Sequence, residues 1–193
     1  MRKILLVVLC AVCIACGSKQ ESAESRFVGT DVTGATFGEG FRLTDHHGQV
    51  RELSDFHGKL VALFFGYTHC PDVCPTTMDD LAKALKLLGN RRSQVQVLFV
   101  TLDPERDSGE VLAKYVPSFD QSFIGLRGDP ATIERTAKSF KVFYQKQDFG
   151  SRSGYTIDHS GGVYVFDKKG TLRLFLSHGQ KPQDIAHDLA LIL

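Results

Sequence analysis

Cys70 and Cys74 stand with three residues between them in "GYTHCPDVCP" (66–75), each followed by a proline and both directly behind the apolar run "LVALFF". Paired thiols at that separation permit three chemistries. They can close a disulfide that staples the loop, exchange electrons as a dithiol–disulfide couple, or hold a soft metal ion. A staple here closes so short a loop that its gain in chain entropy is modest. Structural zinc generally wants four protein ligands, and an iron–sulfur cluster more thiolates than these two. Copper can be held by two thiolates and one imidazole, so the metal reading turns on whether a histidine is delivered to the sulfurs.

The chain has seven histidines. His46 and His47 flank an expected hairpin turn, His57 precedes a turn glycine, His178 follows the last strand, and His187 lies on the polar side of the last helix. His69 adjoins Cys70, but neighbouring side chains in an extended segment diverge. His159, in "GYTIDHSGG", sits in a loop entering a strand, with Asp158 alongside to orient the ring as an outer-shell partner. On residue types alone it is a candidate ligand or a solvated loop histidine. Asp103, in "LDPERD", follows a core strand and is either a turn-fixing acid or a residue that shapes the thiol site.

These residues need elements to position them. "LVALFF" (60–65) reads as a strand covered on both faces, followed by a helix over "PTTMDDLAKALKLLG" with Pro75 at its first position and Gly89 at its stop. The thiols then occupy the turn between a strand's carboxyl end and a helix amino terminus, where unpaired backbone N–H groups favour thiolates. Before that strand, "FRLTDHHGQVRELSDFHGK" reads as two short strands turning at His47-Gly48. After it come a buried strand in 95–103, a helix in "SGEVLAKYV", a short strand in "SFIGLRG" and a helix over 129–140 capped by Asp129. A hairpin over 161–177 and an amphipathic helix in "KPQDIAHDLALIL" complete the chain. The order predicts an α/β, thioredoxin-like fold: a central mixed β-sheet flanked by helices on both faces, with an N-terminal β-hairpin extension.

The amino-terminal segment is different in kind. "MRK" followed by "ILLVVLCAVCIA" has the layout of a signal peptide and is shorter than a membrane span. Its end, "CIACGS", resembles the lipobox of bacterial lipoproteins, with Cys13 where leucine is usual. The predicted organisation is a signal over 1–16 with Cys16 as the lipidated new N-terminus, a flexible tether over 17–26, and one domain over 27–193. Of five cysteines, Cys10 and Cys13 leave with the signal and Cys16 carries lipid, so Cys70 and Cys74 remain as the domain's thiols. Export places them in an oxidising compartment. With 42% apolar and 23% charged residues, a formal net charge of +1 and no like-charge block, the chain has material for a core and none of the basic surface that nucleic-acid binding needs.

"GYTHCPDVCPTTM", "VTLDPERD" and "YTIDHSGGVYVFD" together resemble the three signature blocks of the SCO/SenC family, thioredoxin-fold, membrane-attached proteins involved in copper delivery to cytochrome c oxidase. The resemblance extends from about Phe27 to the C-terminus. It implies copper, as Cu(I) or also Cu(II), held by Cys70, Cys74 and His159. It further implies a metallochaperone whose client is the copper-bearing subunit of a respiratory oxidase, with other copper chaperones or a thioredoxin-like reductant as further partners. The leader and the resemblance together predict membrane anchoring on the outer side of the bacterial inner membrane or facing the periplasm; the lipoprotein-like signal departs from the transmembrane helix that many relatives use. The alternative is a thiol–disulfide oxidoreductase that keeps oxidase cysteines reduced or serves redox sensing. Against a generic thioredoxin stand the three intervening residues and the lack of proline in "IDHSGG". Against a peroxidase, neither cysteine completes the P-x-x-x-T/S-x-x-C arrangement.

Overall fold

The computed structural model describes residues 26–148, 150 and 154–193. The expected signal, Cys16 and all but the last residue of the expected tether lie outside these. No helix among the described residues is long and apolar enough to cross a membrane.

The fold is built on β4 (Leu60–Gly66) and β5 (Val95–Thr101), paired in parallel and buried along their whole length. Because side chains alternate across a strand, β4 feeds two cores at once. Leu60, Ala62 and Phe64 pack with α1 (Val73–Leu87), α2 (Gly109–Tyr115) and α4 (Pro182–Ile192) on one face. Val61, Leu63 and Phe65 pack with α3 (Pro130–Ser139) on the other. Each fully buried Leu or Phe here is worth about 1.5–3 kcal/mol relative to exposure.

The remaining strands extend this pair into a mixed sheet of eight, in the order β1-β10-β9-β4-β5-β6-β2-β3. β6 (Ile124–Arg127) continues the parallel run beside β5, and β9 (Gly162–Phe166) and β10 (Leu172–Ser177) form the antiparallel hairpin on the β4 side. The expected amino-terminal hairpin is β2 (Arg42–Asp45) and β3 (Val50–Glu52), which joins the sheet through β2–β6 pairing. The thioredoxin-like arrangement with helices on both faces is therefore present.

Three local features differ from the sequence expectation. α1 begins at Val73, two residues before Pro75, so Cys74 lies inside the first helical turn. Proline is tolerated there because the first-turn N–H groups have no intrahelical partner. A short β1 (Thr30–Asp31) pairs with β10 at the sheet's edge. Most consequentially, β7 (Tyr144–Asp148) and β8 (Tyr155–His159) form a separate two-stranded sheet, and His159 is the last residue of a strand, not a loop residue.

Directly after β8 the chain must turn into β9. Gly162 makes that passage with φ +156°, and a Cβ there would stand 2.1 Å from the Phe175 ring. Only glycine lets that aromatic ring lie on the backbone next to the segment carrying His159. Gly162→Ala is expected to lower unfolding free energy by about 1–3 kcal/mol, read as a lower urea midpoint at unchanged m-value.

Candidate metal centre

The two sulfurs are placed by the end of β4. Gly66 closes that strand, and a Cβ on it would lie 2.9 Å from Cys74 Sγ, so the missing side chain is what admits the sulfur against the strand. The following turn is bonded Cys70 N–H to Tyr67 carbonyl at 3.3 Å. Asp107, fully buried, ties the turn to the neighbouring strand: its carboxylate accepts from the Thr68 amide (3.0 Å), the Thr68 hydroxyl (2.6 Å) and the Thr101 hydroxyl (2.6 Å). Cys70 and Cys74 are both free thiols, the first half-buried and the second fully buried, and the Cys74 amide donates to Cys70 Sγ at 3.5 Å.

His159 arrives from the other side on β8. Its Nδ1–H donates to the Ser160 carbonyl at 3.0 Å, which leaves the Nε2 lone pair facing Cys74 Sγ at 3.4 Å. Two sulfurs and one imidazole nitrogen thus lie within 4.8 Å of one another, the only such group of three or more potential ligands among the described residues. The rings of Tyr67 and Phe64 stand 6.1 and 6.3 Å from the imidazole and wall it on the protein side. A shallow depression bordered by Pro71, Asp72, Val73 and Asp158 opens the group to the surface. Soft sulfur with one imidazole, few donors and one open side suits a monovalent copper ion better than zinc or a hard cation.

The other candidates sit elsewhere. Asp158 is exposed, since successive strand residues face opposite ways, and the ring's partner is the Ser160 carbonyl; the expected pairing of Asp158 with the ring is corrected on this point. Asp103 is buried but spends its carboxylate on Arg106 and on the Tyr155 hydroxyl, away from the sulfurs. His69 turns to Thr68 and Asp107. His46 and His47 bond each other, His178 meets Thr77, and His187 meets Asp188. Sequence reasoning missed Asp107 and Gly66. The second aspartate of "LDPERD" was the available signal for the former; nothing local marked the latter.

The two thiols are electrostatically unequal. The Cys74 side chain, then the Asp72 and Cys74 amides, hydrogen-bond to Cys70 and lower its thiol to about 5 despite partial burial. Cys74 is pushed strongly upward, first by the hydrogen bond with the Cys70 sulfur and then by burial. At neutral pH the pair therefore shares one proton, held on Cys74. In reduced protein, iodoacetamide should label Cys70 first, because the thiolate is the nucleophile. Its rate should rise with pH through a midpoint of about 5 rather than 9 and be level by neutrality, with Cys74 unlabelled; peptide mass mapping across pH reads both.

The arrangement has relatives. A family model described as SCO1/SenC matches residues 30–193. The "Protein SCO2 homolog, mitochondrial" of Bos taurus is 36% identical over 154 residues, covering 78% of this chain and 58% of the relative. A SCO2-like protein of Rickettsia typhi is 34% identical over 134 residues, 69% of this chain and 66% of that one. The chain thus spans little more than half the length of the bovine relative. Among solved structures, Bradyrhizobium japonicum ScoI with copper bound superposes with a TM-score of 0.73 at 36% identity, over 80% of this chain and 98% of that one. Apo Sco1 of Thermus thermophilus gives 0.77 at 39% identity, over 86% and 97%. On the family match and these identities, this chain belongs to the SCO1/SenC family.

Proposed function

We propose that this protein is a copper-binding metallochaperone that takes up a copper ion on Cys70, Cys74 and His159 and passes it to the copper centre of a respiratory cytochrome c oxidase. The observation that carries the reading is the convergence of the three soft donors within 4.8 Å. The copper-bound relative from Bradyrhizobium japonicum, at 36% identity, supports copper as the cargo. The oxidase client rests on the three sequence blocks.

The residues prepare the cargo's arrival. Cys70 offers a thiolate, His159 a lone pair already turned inward by the Ser160 carbonyl, and Cys74 a thiol that must give up its proton as the ion binds. Three donors leave a direction from which an acceptor's ligands approach, so transfer proceeds by ligand exchange without a free ion. Oxidation of the pair to a disulfide removes two electrons and abolishes both thiolate donors, which makes the cargo site sensitive to redox state.

A second reading, a thiol–disulfide oxidoreductase serving the oxidase's cysteines with a thioredoxin-like reductant behind it, is favoured by the lowered Cys70 thiol. The two readings part at His159. Titration of reduced protein with Cu(I) against a chromophoric chelator should give about one equivalent bound and about one proton released at neutral pH. His159→Ala should weaken binding by about tenfold or more while leaving disulfide exchange in place. Unchanged copper affinity in that variant would refute the three-donor site and leave the oxidoreductase.

For placement, we propose export of the chain and retention at the membrane, on the periplasmic side, by lipid on Cys16 and the tether over 17–26. The support is the lipobox-like sequence. Cys16→Ser should move the protein from the membrane fraction to the soluble fraction of the compartment; persistence in the membrane would refute the lipid anchor.

A further inference from the structure

The β7–β8 hairpin carries a copper donor yet shares no strand pairing with the eight-stranded sheet. A two-stranded ribbon by itself is marginally stable in water, so side-chain contacts must decide where it sits. Beneath it Ile157 enters the core, but the packing there is incomplete. A cavity of about 150 Å3, lined in part by Leu102, Pro130, Ile133 and Tyr144, lies between it and the body.

One cluster spans that gap. Asp103, 3% exposed at the carboxyl end of β5, accepts from the Tyr155 hydroxyl at 2.7 Å through one carboxylate oxygen and from Arg106 Nε through the other. Arg106 then donates from Nη1 to the Tyr155 carbonyl at 3.0 Å and lays its guanidinium 3.6 Å from the Tyr155 ring centroid. Lys146, on the partner strand of the hairpin, stands 3.6 Å from the same ring and bonds Glu105 at 3.2 Å. Tyr155 is thus held by hydroxyl, carbonyl and ring together.

The alternation of β8 transmits this hold. Tyr155, Ile157 and His159 share one face: the first enters the Asp103–Arg106 cluster, the second the core, and the third reaches Cys74. Four residues of strand place the imidazole about 13 Å beyond the tyrosine. A strand fixed at one end by directed polar bonds has little freedom left at the other. We propose that Asp103, Arg106 and Tyr155 form a latch that holds the hairpin to the body and so positions His159 opposite the two sulfurs. These are positioning residues, since none of them is among the three donors. The inference rests on the copper reading for its purpose, and on the contacts of β8 for its mechanics.

The test uses Tyr155→Phe, which removes one hydroxyl and keeps the ring stack and the fold. In copper-free, reduced protein, amide hydrogen exchange over 156–159 should accelerate about tenfold while β4 and β5 stay protected. Cu(I) affinity should fall about tenfold, the scale seen when an outer partner of a metal ligand is lost. Adding Tyr155→Phe to His159→Ala should cost nothing further, within about twofold, because the latch acts through that ring. Unchanged exchange at 156–159, unchanged copper affinity, or a full further loss in the double variant would each overturn the latch. If His159→Ala alone leaves affinity intact, the three-donor reading fails, and the exchange measurement still decides whether the hairpin is latched.

Discussion

A 3.4 Å approach of His159 Nε2 to Cys74 Sγ joins residues 85 positions apart, and most of the architecture exists to allow it. The sulfur side is rigid by construction. It stands at the carboxyl end of a buried parallel pair, with Gly66 cleared beneath Cys74 and the Asp107 carboxylate pinning the turn. The imidazole side is held more lightly, on a ribbon that pairs with no strand of the main sheet and meets the body through side chains. A soft ion held between them would meet one donor group that is fixed by the core and one that is fixed by polar side chains. The strength of the site therefore depends on local order in the ribbon as much as on donor chemistry.

Charge follows the same asymmetry. An N–H-lined turn at a helix start lowers a thiol, and burial raises one. Here both effects act on sulfurs in hydrogen-bond contact, so one proton is divided unevenly instead of two thiols behaving alike. The helix beginning at Val73 rather than Pro75 contributes to this division, because it takes Cys74 inside the first turn and under the sheet while Cys70 stays outside in the loop.

Much of this was legible in the residues. Continuous apolar runs announced β4 and β5, turn chemistry announced β2–β3 and β9–β10, and the cap at Asp129 announced α3, because each is decided by local pattern. The ribbon was not legible: "YQKQD" carries no apolar side chain after Tyr144, and its pairing with "YTIDH" is enforced by the rest of the fold. Asp158 illustrates the same limit at one residue. Sequence adjacency suggested a partner for the ring, but strand alternation sends adjacent side chains apart and gives the role to a backbone carbonyl. Asp103 and Asp107 lie four apart in one block and serve opposite halves of the site, a division that only the packing reveals.

The unequal depth of the two sulfurs gives the site a grain. A visiting ligand, whether a thiolate bringing an ion or one taking it away, meets Cys70 and the imidazole before it can meet Cys74, which has no exposed surface. Any approach from outside therefore engages the half-buried sulfur and the ring first and the sealed sulfur last. Cys74 is the inner wall of the group, and the rim donors are its doorway.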